Sequence, residues 1–147
     1  MVKKCLLMAG WVLVGWPLQG FSAPKTCGTE TTPCEHPRRL GAVRSVQITQ
    51  GAHPAYPTVP AQSCDRFVLR LSQATRYLQM AGQTTANAQH HVTDESACVV
   101  TGQVKLVNGQ MGTWVIGEER EGRLVWPDGR VEYLYCSRCP SPPLTPM

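Results

Sequence analysis

Two cysteines three positions apart, Cys136-Ser137-Arg138-Cys139, are the residues here whose spacing most directly suggests chemistry. Such a pair can supply half of a zinc site, act as a thiol–disulfide couple, or contribute its cysteines to structural disulfides of the core. Zinc calls for a second Cys-x-x-Cys pair or a mixed Cys/His set, and no second pair with that spacing occurs. His90 and His91 are adjacent, so on a strand they would point to opposite faces. A redox couple calls for thiolate stabilisation, commonly by a helix starting at the pair. Cys139 is followed instead by PSPPLTPM, whose prolines forbid a helix. Structural disulfides, with the pairing left open, are the favoured reading of both cysteines.

Other catalytic arrangements are equally hard to assemble. No Gly-x-Ser-x-Gly elbow is present. His90 and His91 share a polar stretch with Asp94 and Ser96, but closeness along a loop is a weak basis for a triad. Glu118, Glu119 and Glu121 could supply a carboxylate pair, yet they sit in a tight charged turn beside Arg120 and Arg123. Solvation and ion pairing there would keep them ordinary acids, whereas a general acid needs a raised pKa. Asn108-Gly109 and Asp128-Gly129 read as hairpin turns rather than phosphate-binding loops. These readings assign no catalytic, cofactor-binding or metal-binding residue, and the chain is expected to be non-enzymatic.

The start of the chain reads as an export signal. Lys3 and Lys4 form a basic leader, Cys5 to Gly15 is an uncharged, mostly apolar run, and small residues follow at Gly20, Ser22 and Ala23. The run is too short to span a bilayer, and Pro17 interrupts any continuing helix. Cleavage after Ser22 is favoured, because cleavage after Ala23 would place Pro24 just beyond the cut. The expected location is periplasmic or secreted, with no membrane span in the mature chain. The 147 residues carry 14 Lys and Arg against 10 Asp and Glu. With Lys3 and Lys4 removed the net charge falls to about +2, too weak and dispersed for a nucleic-acid partner. Six cysteines remain: Cys27, Cys34, Cys64, Cys98, Cys136 and Cys139. An even number in an oxidising compartment points to disulfides, and spacing alone does not choose among the 15 pairings. A short bridge between Cys27 and Cys34 across Pro33 is the plainest guess, with the other four stapling the core.

The elements that would carry these residues follow from periodicity. Residues 23–63 hold six prolines and read as an extended arm or linker, with strand character only over Val43 to Gln50. A domain over 64–139 begins with Asp65 to Leu71 as a half-buried strand. Ser72 then caps a helix over 73–81, with Ala74, Tyr77, Leu78 and Ala81 in one stripe and Gly82 closing it. Residues 83–97 read as a polar surface loop. Four antiparallel strands follow: Ala97 to Val107, Gln110 to Gly117, Arg123 to Trp126, and Arg130 to Cys136. A two-residue turn at Asn108-Gly109 places Leu106 opposite Met111 and puts Val100, Val104, Leu106 and Val115 under the helix. The fold class is α+β, a short helix on a four- to five-stranded antiparallel meander, disulfide-stapled. A Pro-rich tail fills 140–147.

The pattern runs Cys64-x-x-Phe67-x-Leu69, Cys98 with Gly102, and Gly112-x-Trp114-x-Ile116. It continues through Leu124, Asp128-Gly129 and Tyr133-Leu134-Tyr135-Cys136-x-x-Cys139. It resembles a group of small, uncharacterised, exported cysteine-containing proteins of Gram-negative bacteria, over about half the chain. The resemblance implies a periplasmic or secreted location and a disulfide-stapled α+β domain. It carries across no activity.

In this register Trp114 and Ile116 face away from the helix. With Trp126 or Tyr135 they would form a partly exposed aromatic patch of the kind that anchors protein partners, unless the arm, with Tyr56 and Val59, covers them. The functional expectation is therefore a non-enzymatic exported module that binds an unidentified protein, as an inhibitor or an envelope-assembly accessory. The rivals are a small redox protein using Cys136 and Cys139, and a purely structural envelope protein.

Overall fold

The computed structural model describes residues 34–38, 40–92 and 96–139, with 90–92 by backbone alone. The leader 1–22 and its cleavage after Ser22, Cys27, the side chains of His90 and His91, Asp94, and the tail 140–147 lie outside the described residues. The described chain forms one antiparallel sheet of six strands with two helices. In chain order these are β1 (Val43–Pro54), α1 (Leu71–Met80), β2 (Gly82–Thr84), α2 (Ala86–Val92), β3 (Cys98–Leu106), β4 (Met111–Gly117), β5 (Glu121–Val125) and β6 (Val131–Tyr135). The sheet order is β1-β3-β4-β5-β6-β2.

The meander of β3 to β6 follows its turn signals, but the turns are one residue longer than the sequence suggests. Leu106 donates its N–H to the Gln110 carbonyl at 2.8 Å, and Gly109 donates to Leu106 at 3.0 Å. Gly109 alone takes a positive φ, +89°. The loop is thus three residues ending in a left-handed one, not a two-residue turn with both residues left-handed. Trp126 and Arg130 close the next hairpin in the same way, with Gly129 at φ +83°. Between them, Ile116 pairs with Gly122, and Arg120 fills the left-handed slot at φ 71°.

The extra residue shifts the register by one and exchanges the two faces. Lys105, not Leu106, pairs with Met111; Val104 pairs with Gly112, Gly102 with Trp114, and Val100 with Ile116. Trp114 and Ile116 therefore share a face with Val100, Val104 and Leu106, and both are 0% exposed. A side chain at Gly102 would collide with the Trp114 indole and the Gln47 carbonyl, so glycine there lets the ring lie across the strand. Helix α1 covers this face with Ala74, Tyr77, Leu78 and the adjoining Ala81, the stripe its spacing suggests.

Several expectations change. The sheet has six strands, not four or five, because β1 and β2 extend it at both edges. β1 reads poorly from sequence because it is an edge strand whose side chains mostly meet water; only Val46 is buried. It lies in the segment assigned to an arm, yet it pairs with β3 along its whole length. Residues before it are also built in. His36 and Gln83 exchange backbone hydrogen bonds of 2.7 and 2.9 Å. Arg38 bonds the Glu132 carboxylate and the Leu78 carbonyl, both at 3.0 Å. Residues 65–70 are turn and irregular chain rather than a strand, and Leu71 is half-exposed at the start of α1. The helix begins at Leu71, so Ser72 lies inside it; the Gln73 side chain accepts the Arg70 N–H at 2.8 Å instead. Gly82 opens β2 rather than closing α1 with a left-handed residue. The expected polar loop after it contains β2 and α2.

Candidate functional site

All four residues expected to meet a partner are interior. Trp114 and Ile116 are 0% exposed, Trp126 is 6% and Tyr135 is 3%. Trp126 donates its indole N–H to Glu132 at 2.7 Å under the Arg130 guanidinium, and Arg120 lies over the Tyr135 ring. They serve the core and its rim, and present no aromatic patch.

The disulfides have the same structural character. Cys64 bonds Cys98, joining the 3-10 turn Ala61–Cys64 to the first residue of β3, where Pro54 at the end of β1 also pairs. Cys136 bonds Cys139 within one turn, and both are buried. Their sulfurs are paired with each other, which leaves no zinc knuckle there. Cys34 is also disulfide-bonded. Among the described residues no group of three or more His, Cys, Asp or Glu is placed to hold a metal ion. No described helix is long and apolar enough to cross a membrane.

The register that buries Trp114 turns another set of residues to the opposite, outer face. Cross-strand pairing there lines up Thr101, Val115, Arg123 and Tyr133 in one row, flanked by Val99, Gly117 and Glu121 in the next. Ala55 and Tyr56, just past β1, and Gln89 of α2 stand beside this floor and turn it into a cleft of about 190 Å³. Gln89 is held by its amide, which donates to the Gly122 carbonyl at 2.9 Å and the Leu134 carbonyl at 3.2 Å. Tyr56 is 42% exposed and stands at the rim.

Glu121 is the chemically distinctive member. Its Oε1 accepts the Ser96 N–H at 3.2 Å, while Ser96 Oγ accepts the Glu119 N–H at 2.8 Å. Its Oε2 is shielded from water and has no hydrogen-bond partner. Gly117 pairs beside it; a side chain there would strike both Glu121 Oε1 and Ser96 Oγ. Burial raises the carboxyl above the usual carboxylate range, against the hydrogen bonds from Ser96, and the nearby Glu119 charge adds to the rise. Burial likewise pushes the Tyr77 hydroxyl well up, with Glu121 the next contributor. That hydroxyl donates to the Arg120 carbonyl at 3.0 Å beneath the same turn.

The sequence suggests that the turn from Glu118 to Gly122 is solvated throughout. It separates instead: Glu119 is exposed, and Glu121 points into the cleft. The signal that could have found it is the glycine at 117, four residues earlier, which leaves space for a carboxyl across a three-residue turn. Ser96 reads from sequence only as a loop neighbour of the histidines; in the fold it holds Glu121. No family model, no curated protein and no solved structure matches this chain.

Proposed function

We propose that the chain is an exported, non-enzymatic binding module that meets a protein partner through the outer face of its sheet, acting as an inhibitor or an envelope-assembly accessory. The cleft of Tyr56, Glu121, Arg123 and Tyr133 is the observation that carries this reading. It combines a concave surface, two tyrosines and two ionisable groups, the features that anchor recognition. The contacting residues differ from the aromatic patch suggested by sequence, since that patch is core. Export is supported by the basic leader and apolar run at the N-terminus, and by cystines of a kind that persist in oxidising compartments. A redox role for Cys136 and Cys139 is disfavoured because both are buried, which keeps a reacting thiol away from them.

Site-specific photo-cross-linking in the envelope tests the reading. A cross-linker at position 123 or 133 should give a discrete protein adduct. The same group at Val68, which is 62% exposed, should not. Adducts from neither cleft position, or equally from position 68, would overturn the assignment. Mass spectrometry of the non-reduced mature chain checks export separately, with Ala23 as the expected first residue.

A further inference from the structure

We propose that the outer-face cleft is a receptor for a small zwitterion, a free α-amino acid or a dipeptide, with its ammonium on Glu121, its carboxylate on Arg123 and its side chain against Val99, Val115 and Tyr133. The inference rests on the outer face being the recognition surface and adds a small-molecule ligand to it.

Three observations support this ligand chemistry. The first is the carboxyl itself. Glu121 lines the cleft, and one of its oxygens is engaged, the Ser96 N–H among its donors. The other has no hydrogen-bond partner and is sheltered from water. A carboxyl oxygen in that state gains from a donor, and an ammonium is the strongest small donor. A partial turn about χ3, a broad torsion in glutamate, brings that oxygen toward the cleft while the other stays near Ser96.

The second is the opposite charge two residues along. Glu121 and Arg123 project from the same face of β5, about 7 Å apart at the backbone. Two hydrogen bonds of about 3 Å, joined by the few bonds between the ends of an amino acid, match that span. Arg123 is exposed, so its guanidinium stands at the mouth as a carboxylate fork while Glu121 stands deeper.

The third is size and lining. A cleft of about 190 Å³ is below the range for drug-sized molecules and modestly larger than a cavity that accepts benzene. It suits a ligand the size of leucine. Val99, Val115 and the Tyr133 ring supply an apolar wall for such a side chain.

Proton–nitrogen NMR of the full disulfide-bonded mature chain tests the proposal, with L-leucine, N-acetyl-leucine and leucine amide as probes. Leucine should shift the amides of Val99, Val115, Gly117 and Glu121 saturably. Capping either end should weaken binding roughly tenfold or more, the scale of losing one charge-assisted hydrogen bond. Glu121→Gln should remove most leucine binding while its spectrum stays folded. Arg123→Ala should weaken leucine but leave the weak leucine amide binding as it is in the parent. The proposal is overturned if leucine produces no saturable shifts at these amides, or if the capped forms bind as well as leucine. Should leucine fail while adducts still form at positions 123 and 133, the zwitterion site falls and the partner reading stands. If the adducts are also absent, both fall.

Discussion

Glu121 shows how one residue's surroundings change its chemistry. The same carboxyl on the far side of its turn would meet water, as the exposed Glu119 does. Folding places it over Gly117, binds one oxygen to Ser96 and leaves the other without a partner. Desolvation outweighs the hydrogen bonds, so the folded chain holds a proton on Glu121 more readily than the unfolded chain does. The sign of the linkage follows. The stability associated with this raised value is fully present below the unfolded carboxylate pKa and is lost as pH rises through the folded one. Glu121→Gln preserves the shape and an acceptor for Ser96 but cannot ionise. The difference in Tm between this variant and the parent should grow in the variant's favour as pH rises from about 4 toward neutrality. Calorimetry across that range checks it. A constant difference would mean that Glu121 ionises in the folded chain as freely as in the unfolded one.

At the scale of elements, the three hairpins decide which face is core. Each loop has three residues and ends in a left-handed one, Gly109, Arg120 or Gly129. Shortening any of them by one residue would exchange the faces of the strand beyond it. The sequence made the existence of β3 to β6 and the helical stripe of α1 legible, because alternation and 3.6-residue spacing are strong local signals. It did not make the register legible. Asn108-Gly109 fits a two-residue turn and a three-residue loop equally well, and only packing of Trp114 across Gly102 separates them. The cleft was hidden by the same ambiguity, since its residues lie on the face that the slip exchanges. β1 was hidden for another reason: an edge strand with one buried residue has almost no apolar pattern to read. Substitution at the loops tests the arrangement. Gly129→Ala should cost about 1 kcal/mol, because an L-residue must enter the left-handed region there. Arg120→Gly should be more stable than Arg120→Ala by about 1 kcal/mol, since both lose the half-buried guanidinium contact over Tyr135 and the bond to the Ser137 carbonyl but only glycine relieves the same penalty. Denaturant melts of these variants read the differences directly, and an Arg120→Ala chain as stable as Arg120→Gly would contradict a common loop geometry.

Over the whole molecule, stability depends on closing distant parts of a short chain around one core face. Glu35 accepts Ser137 N–H and O–H bonds at 2.7 and 2.6 Å, across 102 positions. Arg38 reaches Glu132 across 94. Such contacts form only after the sheet has assembled, so covalent closure matters to how much of the chain is ordered. The Cys64–Cys98 bridge closes a separation of 34 residues, and Cys136–Cys139 closes one of 3. Restricting the unfolded chain is worth about 4 kcal/mol for a loop of the first length and about 2 kcal/mol for the second. Against a domain stability of about 5–15 kcal/mol, the first is a substantial share. Replacing Cys64 and Cys98 together with serine should therefore lower the urea midpoint about twice as far as replacing Cys136 and Cys139. The smaller loss should have a local signature as well. The Cys136–Cys139 turn presents Ser137 to Glu35, so its opening should raise amide exchange at His36 and Gln83, which pair beside it, and leave Gly102 and Trp114 protected. Equal midpoint losses would show that the two bridges act through folded-state packing rather than through loop closure. Unchanged exchange at His36 would show that the N-terminal segment holds its place without the second bridge.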